Sequence, residues 1–90
     1  MKIKNVNGTS RFPAPSGYNS WLDYWKIQAG KSVSYCSTSG CRGTDLIGAH
    51  VQKANSTDKH YYIVPLCRSC NSRTDEFEVT QPLIPVPSNL

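Results

Sequence analysis

Two segments decide the fold: YCSTSGC at residues 35–41 and LCRSCN at residues 66–71. They contain all four cysteines of the 90-residue chain, spaced as C-x4-C and C-x2-C. Two short cysteine pairs separated by about 25 residues are typical of a structural zinc site, because each pair forms a tight turn that directs two sulfurs at one point. The sequence therefore predicts one structural Zn²⁺ held by four thiolates, those of Cys36, Cys41, Cys67 and Cys70.

Two disulfide bonds are the alternative interpretation of these cysteines, since small secreted domains are often stapled in that way. Such a domain needs an export signal, and the basic start at residues 1–4 is followed by NVNGTS at residues 5–10, which contains no apolar run. A redox-active disulfide bond between Cys67 and Cys70 is a further alternative. The presence of the other pair, Cys36 and Cys41, favours a metal site instead. Thiolate ligands without an export signal predict a cytoplasmic protein in a reducing compartment.

Length and composition indicate a single domain over residues 1–90, with a core at about 32–80 and extended arms at 1–19 and 81–90. Apolar residues make up 38% of the chain, and no stretch approaches the length of a membrane span, so we expect no membrane partner. The formal net charge of +4 permits binding to DNA or RNA without requiring it.

An amphipathic helix is predicted at residues 20–29. Ser20 is a suitable N-cap with Asp23 three residues later, and Gly30 is a suitable residue to end the helix. The apolar positions recur with helical spacing, and we expect Trp21 and Trp25 to cover the core over the zinc module rather than to stack on bases.

The remaining elements are short. We predict an edge strand at 2–6, strands at 45–51 and 61–66 separated by a loop at 52–59, and a short helix after the second cysteine pair. Pro65 should end the useful hydrogen bonding of the second long strand. A further strand is predicted at 76–80, and an extended arm at 82–87.

This order of cysteine turn, strand, loop, strand, cysteine turn and helix resembles the HNH endonuclease family. The resemblance rests on the two cysteine pairs, on AHV at residues 49–51 and on IVPLCRSCNSR at residues 63–73. It implies an α+β fold with a small ββα-metal core that four cysteines brace through zinc, preceded here by the amphipathic helix.

The resemblance also implies a metal-dependent cleavage of phosphodiester bonds in DNA or RNA. His50 matches the general base of the family, a task that suits a side chain with a pKa near neutrality. Asn71 matches the ligand of a second, catalytic divalent ion such as Mg²⁺. Lys53, Arg68 and Arg73 are candidate phosphate contacts.

Two positions depart from the family pattern and keep a catalytically inactive interaction module as the alternative. Ala49 stands where many members carry a metal ligand, and Tyr62 replaces an expected asparagine. In that case His50 is a structural histidine within the hairpin, and Asn71 caps the following helix. Three further side chains could supply a ligand by proximity: Asp45, Asp58 and His60.

Overall fold

The computed structural model describes residues 1–6 and 13–87. Five antiparallel strands form one sheet in the order β4-β1-β2-β3-β5, accompanied by two helices. This architecture confirms the α+β class. Within the described ranges, no helix is both long and apolar enough to cross a membrane. The elements in chain order are β1 (Lys2–Asn5), α1 (Trp21–Ala29), β2 (Leu46–Lys53), β3 (Tyr62–Cys67), α2 (Arg68–Asn71), β4 (Phe77–Glu78) and β5 (Ile84–Pro85).

The sheet buries a different hydrophobic cluster on each face. Successive side chains of a strand point to opposite faces, so β2 directs Ala49 and Val51 to one side and His50 to the other. One face carries the larger cluster, built from Ile3, Ala49, Val51, Val64, Leu66, Phe77, Val79 and three of the cysteines. The other face carries Trp21, Trp25 and Ile63, with Ile84 packed against them. We call the second face the α1 face, because α1 covers it.

Helix α1 begins and ends where the sequence predicts. The Ser20 side chain accepts a hydrogen bond of 3.0 Å from the Asp23 amide, and Gly30 ends the helix with a left-handed φ of 70°. Trp21 and Trp25 are both buried, which confirms that they belong to the core. Their predicted place over the zinc module was wrong, because they pack on the face of the sheet opposite the cysteines. The indole nitrogen of Trp25 donates to the Pro82 carbonyl oxygen at 2.9 Å, so the C-terminal segment is also fixed to this helix.

A glycine in β2 lets α1 approach the sheet closely. A Cβ atom added at Gly48 would lie 2.4 Å from the Leu22 nitrogen and 2.5 Å from the Trp21 carbonyl carbon. Only a residue without a side chain fits there, so Gly48 sets the depth at which α1 packs.

The prediction of an edge strand at residues 2–6 was wrong. β1 lies inside the sheet, paired with β2 on one side and with β4 on the other. The segment at 82–87, predicted as an extended arm, contributes β5 at the edge beside β3. Both predicted arms therefore supply strands, while residues 7–12 and 88–90 of these arms lie outside the described chain.

The prediction for Pro65 was also wrong, because this residue lies within β3 and pairs in register with Gly48. Its carbonyl oxygen accepts a hydrogen bond of 3.0 Å from the Ser37 amide, which belongs to the first cysteine turn. In an antiparallel strand the nitrogen and the carbonyl of a residue point to the same side. The missing N–H of Pro65 therefore faces away from β2 and removes no hydrogen bond from that pairing.

Candidate metal centre

The four cysteine sulfurs meet at one point at the end of the β2–β3 hairpin. All four Sγ atoms lie within 4.8 Å of one another. The Cys41 sulfur is 3.8 Å from those of both Cys67 and Cys70. A tetrahedral zinc site with Zn–S bonds of about 2.3 Å has sulfur–sulfur edges of about 3.8 Å. The cluster thus has the size that one metal ion of this kind requires.

The second cysteine pair is positioned by the junction of β3 and α2. Cys67 is the last residue of β3 and the N-cap of α2, where its sulfur accepts a hydrogen bond of 3.5 Å from the Cys70 amide. One helical turn then brings the Cys70 sulfur to the same side. The spacing C-x2-C follows from this single capped turn.

The first pair is held by a loop that folds back on itself. The Cys36 amide donates to the Gly43 carbonyl at 2.8 Å, and the Cys41 amide donates to the Thr38 carbonyl at 2.9 Å. The Gly43 amide donates to the Cys41 sulfur at 3.5 Å. A Cβ atom at Gly43 would lie 2.8 Å from the Cβ of Cys67, so the two turns pack tightly only because this residue is glycine.

Strands from both ends of the chain fix the loop to the sheet. Thr38 forms an isolated bridge with Val79, and the Ser39 amide donates to the Glu78 carbonyl at 2.9 Å. On the opposite side of the site, the Asn5 side-chain amide donates to the carbonyl oxygens of Cys70 and Arg73 at 3.0 and 2.9 Å. The cysteine cluster is therefore tied to β1, β3 and β4 together.

The thiols differ in how readily they lose a proton. Burial opposes ionisation of Cys36, but hydrogen bonding with Thr38 and with the backbone outweighs it and lowers the pKa to about 7. Burial raises the pKa of Cys70 to about 12. Four thiolates in this enclosed position need a cation to offset their charge, and a bound metal deprotonates its thiol ligands outright.

These cysteines are not joined as disulfides. All four are free, and sulfur separations of 3.8 Å are far longer than the S–S bond of about 2.05 Å. The structure therefore gives no support to the disulfide interpretation. In the part of the chain that the structure describes, this is the one group of three or more His, Cys, Asp or Glu side chains placed to hold a metal ion.

His50 lies in the middle of β2 on the α1 face, away from the cysteines. Its exposed fraction is 5%, and its ring packs edge-on against Trp21 with a centroid separation of 4.9 Å. Burial lowers the pKa of His50, so the ring is neutral near pH 7.

Asn71 is exposed and ends α2. Its helix is anchored through Asn5, which pairs with Val51 and so belongs to the face opposite His50. The sheet therefore separates the two residues that the HNH resemblance assigns to one catalytic site.

Each of the three predicted phosphate contacts forms an ion pair with a carboxylate. The Lys53 ammonium lies 3.2 Å from Asp58, the Arg68 guanidinium 2.8 Å from Asp45, and the Arg73 guanidinium 2.9 Å from Asp75. These partners reduce the positive charge that Lys53, Arg68 and Arg73 offer to a phosphate.

The side chains considered as extra metal ligands have other roles. Asp58 accepts hydrogen bonds from the Tyr62 hydroxyl and the His60 amide, and its carboxylate lies 2.9 Å from the His60 ring. The hydrogen bond from Tyr62 is the largest cause that holds the pKa of Asp58 far below its usual range. Tyr62, which replaces the expected asparagine, thus orders the turn between β2 and β3 together with Lys53.

Gly43 lies where the sequence favours a glycine, in the loop that bends around the metal site. Sequence reasoning missed Asn5, which also supports the cluster. Its position gave no signal, because Asn5 acts on residues 65 and 68 positions later in the chain.

No protein-family model, curated protein or solved structure matches this chain. The class of the protein is therefore defined by its own fold and site. It is a small α+β domain in which four clustered cysteines could hold a metal ion.

Proposed function

We propose that this chain is a zinc-stabilised nucleic-acid-binding domain in which the metal is structural. The observation that carries the proposal is the convergence of four sulfurs within 4.8 Å of one another, with two of their separations at the 3.8 Å edge of a zinc tetrahedron. Zinc suits an all-sulfur, tetrahedral set of ligands, and four cysteines leave no open position on the ion for chemistry. The order β2, β3, α2 between and around the cysteine pairs supports an HNH-like core as part of this proposal.

Binding is favoured over cleavage by the surroundings of His50. A general base must reach the proton of the attacking water, whereas this ring is 5% exposed and packed against Trp21. We therefore assign His50 a packing role in the domain. Catalysis with a second divalent ion at Asn71 is the rival hypothesis, and the experiments below separate the two.

Charge distribution is the argument for a nucleic acid as the partner. Ion pairs join three of the cations to carboxylates. In the described ranges, the other lysines and arginines form no ion pair with a carboxylate, so six cationic side chains add to a positive field at the surface. These cations are Lys2, Lys4, Lys26, Lys31, Arg42 and Lys59.

Elemental analysis of the purified chain, combined with a thiol titration, tests the metal. We expect one zinc per chain and four thiols that become reactive only after chelation. A folded chain without metal, or with fewer than four titratable thiols, would contradict the zinc site.

Fluorescence anisotropy with labelled oligonucleotides at several salt concentrations tests the partner. We expect binding that weakens as salt rises, because released counterions drive the association. Incubation of plasmid with Mg²⁺ or Mn²⁺ tests the rival hypothesis. Nicking by the wild type that His50→Ala abolishes would replace the binding proposal with catalysis.

A further inference from the structure

We infer that the part of the α1 face left uncovered by α1 binds single-stranded nucleic acid. This surface, which we call the open sheet face, consists of Lys2, Lys4, Gln52 and Tyr61. The inference rests on the proposed function, since it assigns the surface and the strandedness of the ligand.

Strand alternation puts the two lysines on this face. Ile3 is fully buried in the cluster on the opposite face, so its neighbours Lys2 and Lys4 point to the α1 face. Lys4 pairs in register with Gln52, which places an ammonium and an amide side by side. The two lysines belong to β1, whereas α1 packs on β2, β3 and β5; Lys2 is exposed and Lys4 is half-buried.

Tyr61 supplies an aromatic ring in the same region. The Lys53 ammonium lies 5.0 Å from the centre of the Tyr62 ring, so Tyr62 and Lys53 share the opposite face. The preceding residue, Tyr61, therefore points to the α1 side and is 37% exposed. Its carbonyl oxygen accepts a hydrogen bond of 3.0 Å from the Val86 amide, which fixes its backbone beside β5.

The charges on this face favour a polyanion. Within the described residues, neither Lys2 nor Lys4 forms an ion pair with a carboxylate. Glu78 lies in register with Lys2, and its carboxylate contacts the amino group of Met1. On β2 the residue in register with Lys4 is the uncharged Gln52, and we take Lys4 as the stronger anchor for a phosphate. Gln52 also donates to the Lys59 carbonyl at 2.8 Å, which holds another basic residue at the rim.

An exposed aromatic ring flanked by cations selects for unpaired bases. Bases of a single strand can stack on such a ring while their phosphates meet the lysines, whereas the bases of a duplex remain stacked on one another. The open sheet face offers that combination on a rigid β-sheet. The predicted contacts Lys53, Arg68 and Arg73, by contrast, are engaged by carboxylates.

Anisotropy titrations of the full zinc-loaded chain test the inference. The probes are a fluorescein-labelled single strand of mixed sequence, offered as both DNA and RNA, and its duplex. We expect Tyr61→Leu to weaken single-strand binding about tenfold, while Tyr61→Phe retains it because the stacking ring remains. Lys4→Gln should weaken binding several-fold and reduce the slope of log affinity against log salt by about one. Lys31→Gln, which removes the same charge beyond the C-terminal end of α1, is the matched control.

The possible results show whether the proposed function fails or only the assignment of the open sheet face fails. If the wild type binds none of the probes, the proposed function itself fails. If the wild type binds but Lys4→Gln and Tyr61→Leu bind as tightly as their controls, only the open sheet face is ruled out. Equal or tighter binding of the duplex contradicts the single-strand assignment. Zinc content and circular dichroism of every variant confirm that each one is folded.

Discussion

The side-chain amide of Asn5 donates a hydrogen bond of 3.0 Å to the carbonyl oxygen of Cys70, one of the four clustered cysteines. The same amide donates to the Arg73 carbonyl at 2.9 Å. The Cys70 carbonyl belongs to the last turn of the short helix α2 and also accepts a hydrogen bond of 3.1 Å from the Arg73 amide, while Arg73 itself lies two residues beyond the helix. The first strand of the chain thus fixes the backbone of the last of the four clustered cysteines.

Replacing Asn5 with alanine should weaken both the fold and the metal site. Two part-buried carbonyl oxygens each lose a hydrogen bond, at a combined cost of about 1–3 kcal/mol in the free energy of unfolding. Loss of such a supporting contact should also lower zinc affinity by about 10- to 100-fold. Urea denaturation and competition with a chromophoric chelator measure the two effects. Asn19→Ala, at an exposed position before α1, is the control, and equal behaviour of the two variants would contradict this role.

Removal of zinc should unfold the region around the cysteine cluster. Binding of a structural zinc contributes about 10 kcal/mol or more to folding, because the site does not exist in the unfolded chain. Chelation, or the variant Cys67→Ser, should therefore abolish the dispersed amide signals of residues 35–75 in an NMR spectrum. Retention of those signals after stoichiometric removal of the metal would show that the sheet is stable without it.

Substitution of Gly48 by alanine should displace α1 from the sheet. The new Cβ atom would meet backbone atoms of Leu22 and Trp21 at 2.4–2.5 Å, and backbone cannot turn aside as a flexible side chain can. We expect a loss of about 1–3 kcal/mol or more in the free energy of unfolding, together with a change in tryptophan fluorescence. An unchanged denaturation curve would mean that the helix is not packed as closely as described.

Acidification should destabilise the domain through His50. Burial lowers the pKa of this ring in the folded state, so the unfolded chain binds the proton more readily. The stabilising contribution is therefore complete above the unfolded pKa of about 6.5 and is lost as pH falls through the lower folded value.

Denaturation of wild type and His50→Phe across pH 5–8, at saturating zinc, measures this contribution. The stability difference between the two proteins should change in favour of the variant as pH falls. His60→Gln is the control, because the His60 side chain is 83% exposed. A difference that does not vary with pH would place the ring in contact with solvent and reopen the question of catalysis.

Local signals in the sequence were sufficient to predict α1 and the clustering of the four cysteines. The caps at Ser20 and Gly30 act within one turn, and each cysteine pair closes a short loop whose residues are adjacent in the chain. The pairing of strands that are far apart in the chain produced no comparable signal in the sequence. β4 has two residues, too few to reveal that β1 would lie inside the sheet, and β5 contains a proline.

The resemblance to the HNH family assigns His50 and Asn71 to one site, but the motif contains no information about which face of the sheet each residue occupies. Ala49 and Val51 belong to the large cluster, so alternation directs His50 to the other face. That this face is covered by α1 depends on Gly48 and Trp21, which lie outside the segments that carry the resemblance. The cysteine cluster was thus predictable from spacing, whereas the surroundings of the histidine depended on contacts between distant elements.

The central position of β1 has a consequence for the chain during synthesis. The edge of β1 that faces away from β2 forms its hydrogen bonds with β4, which lies more than 70 residues later in the chain. A nascent or truncated chain that stops before residue 77 therefore exposes this unpaired edge. Bare strands of this kind recruit one another into aggregates. The domain should therefore tolerate C-terminal deletions poorly, and its yield in cells should depend on protection of this strand until translation is complete.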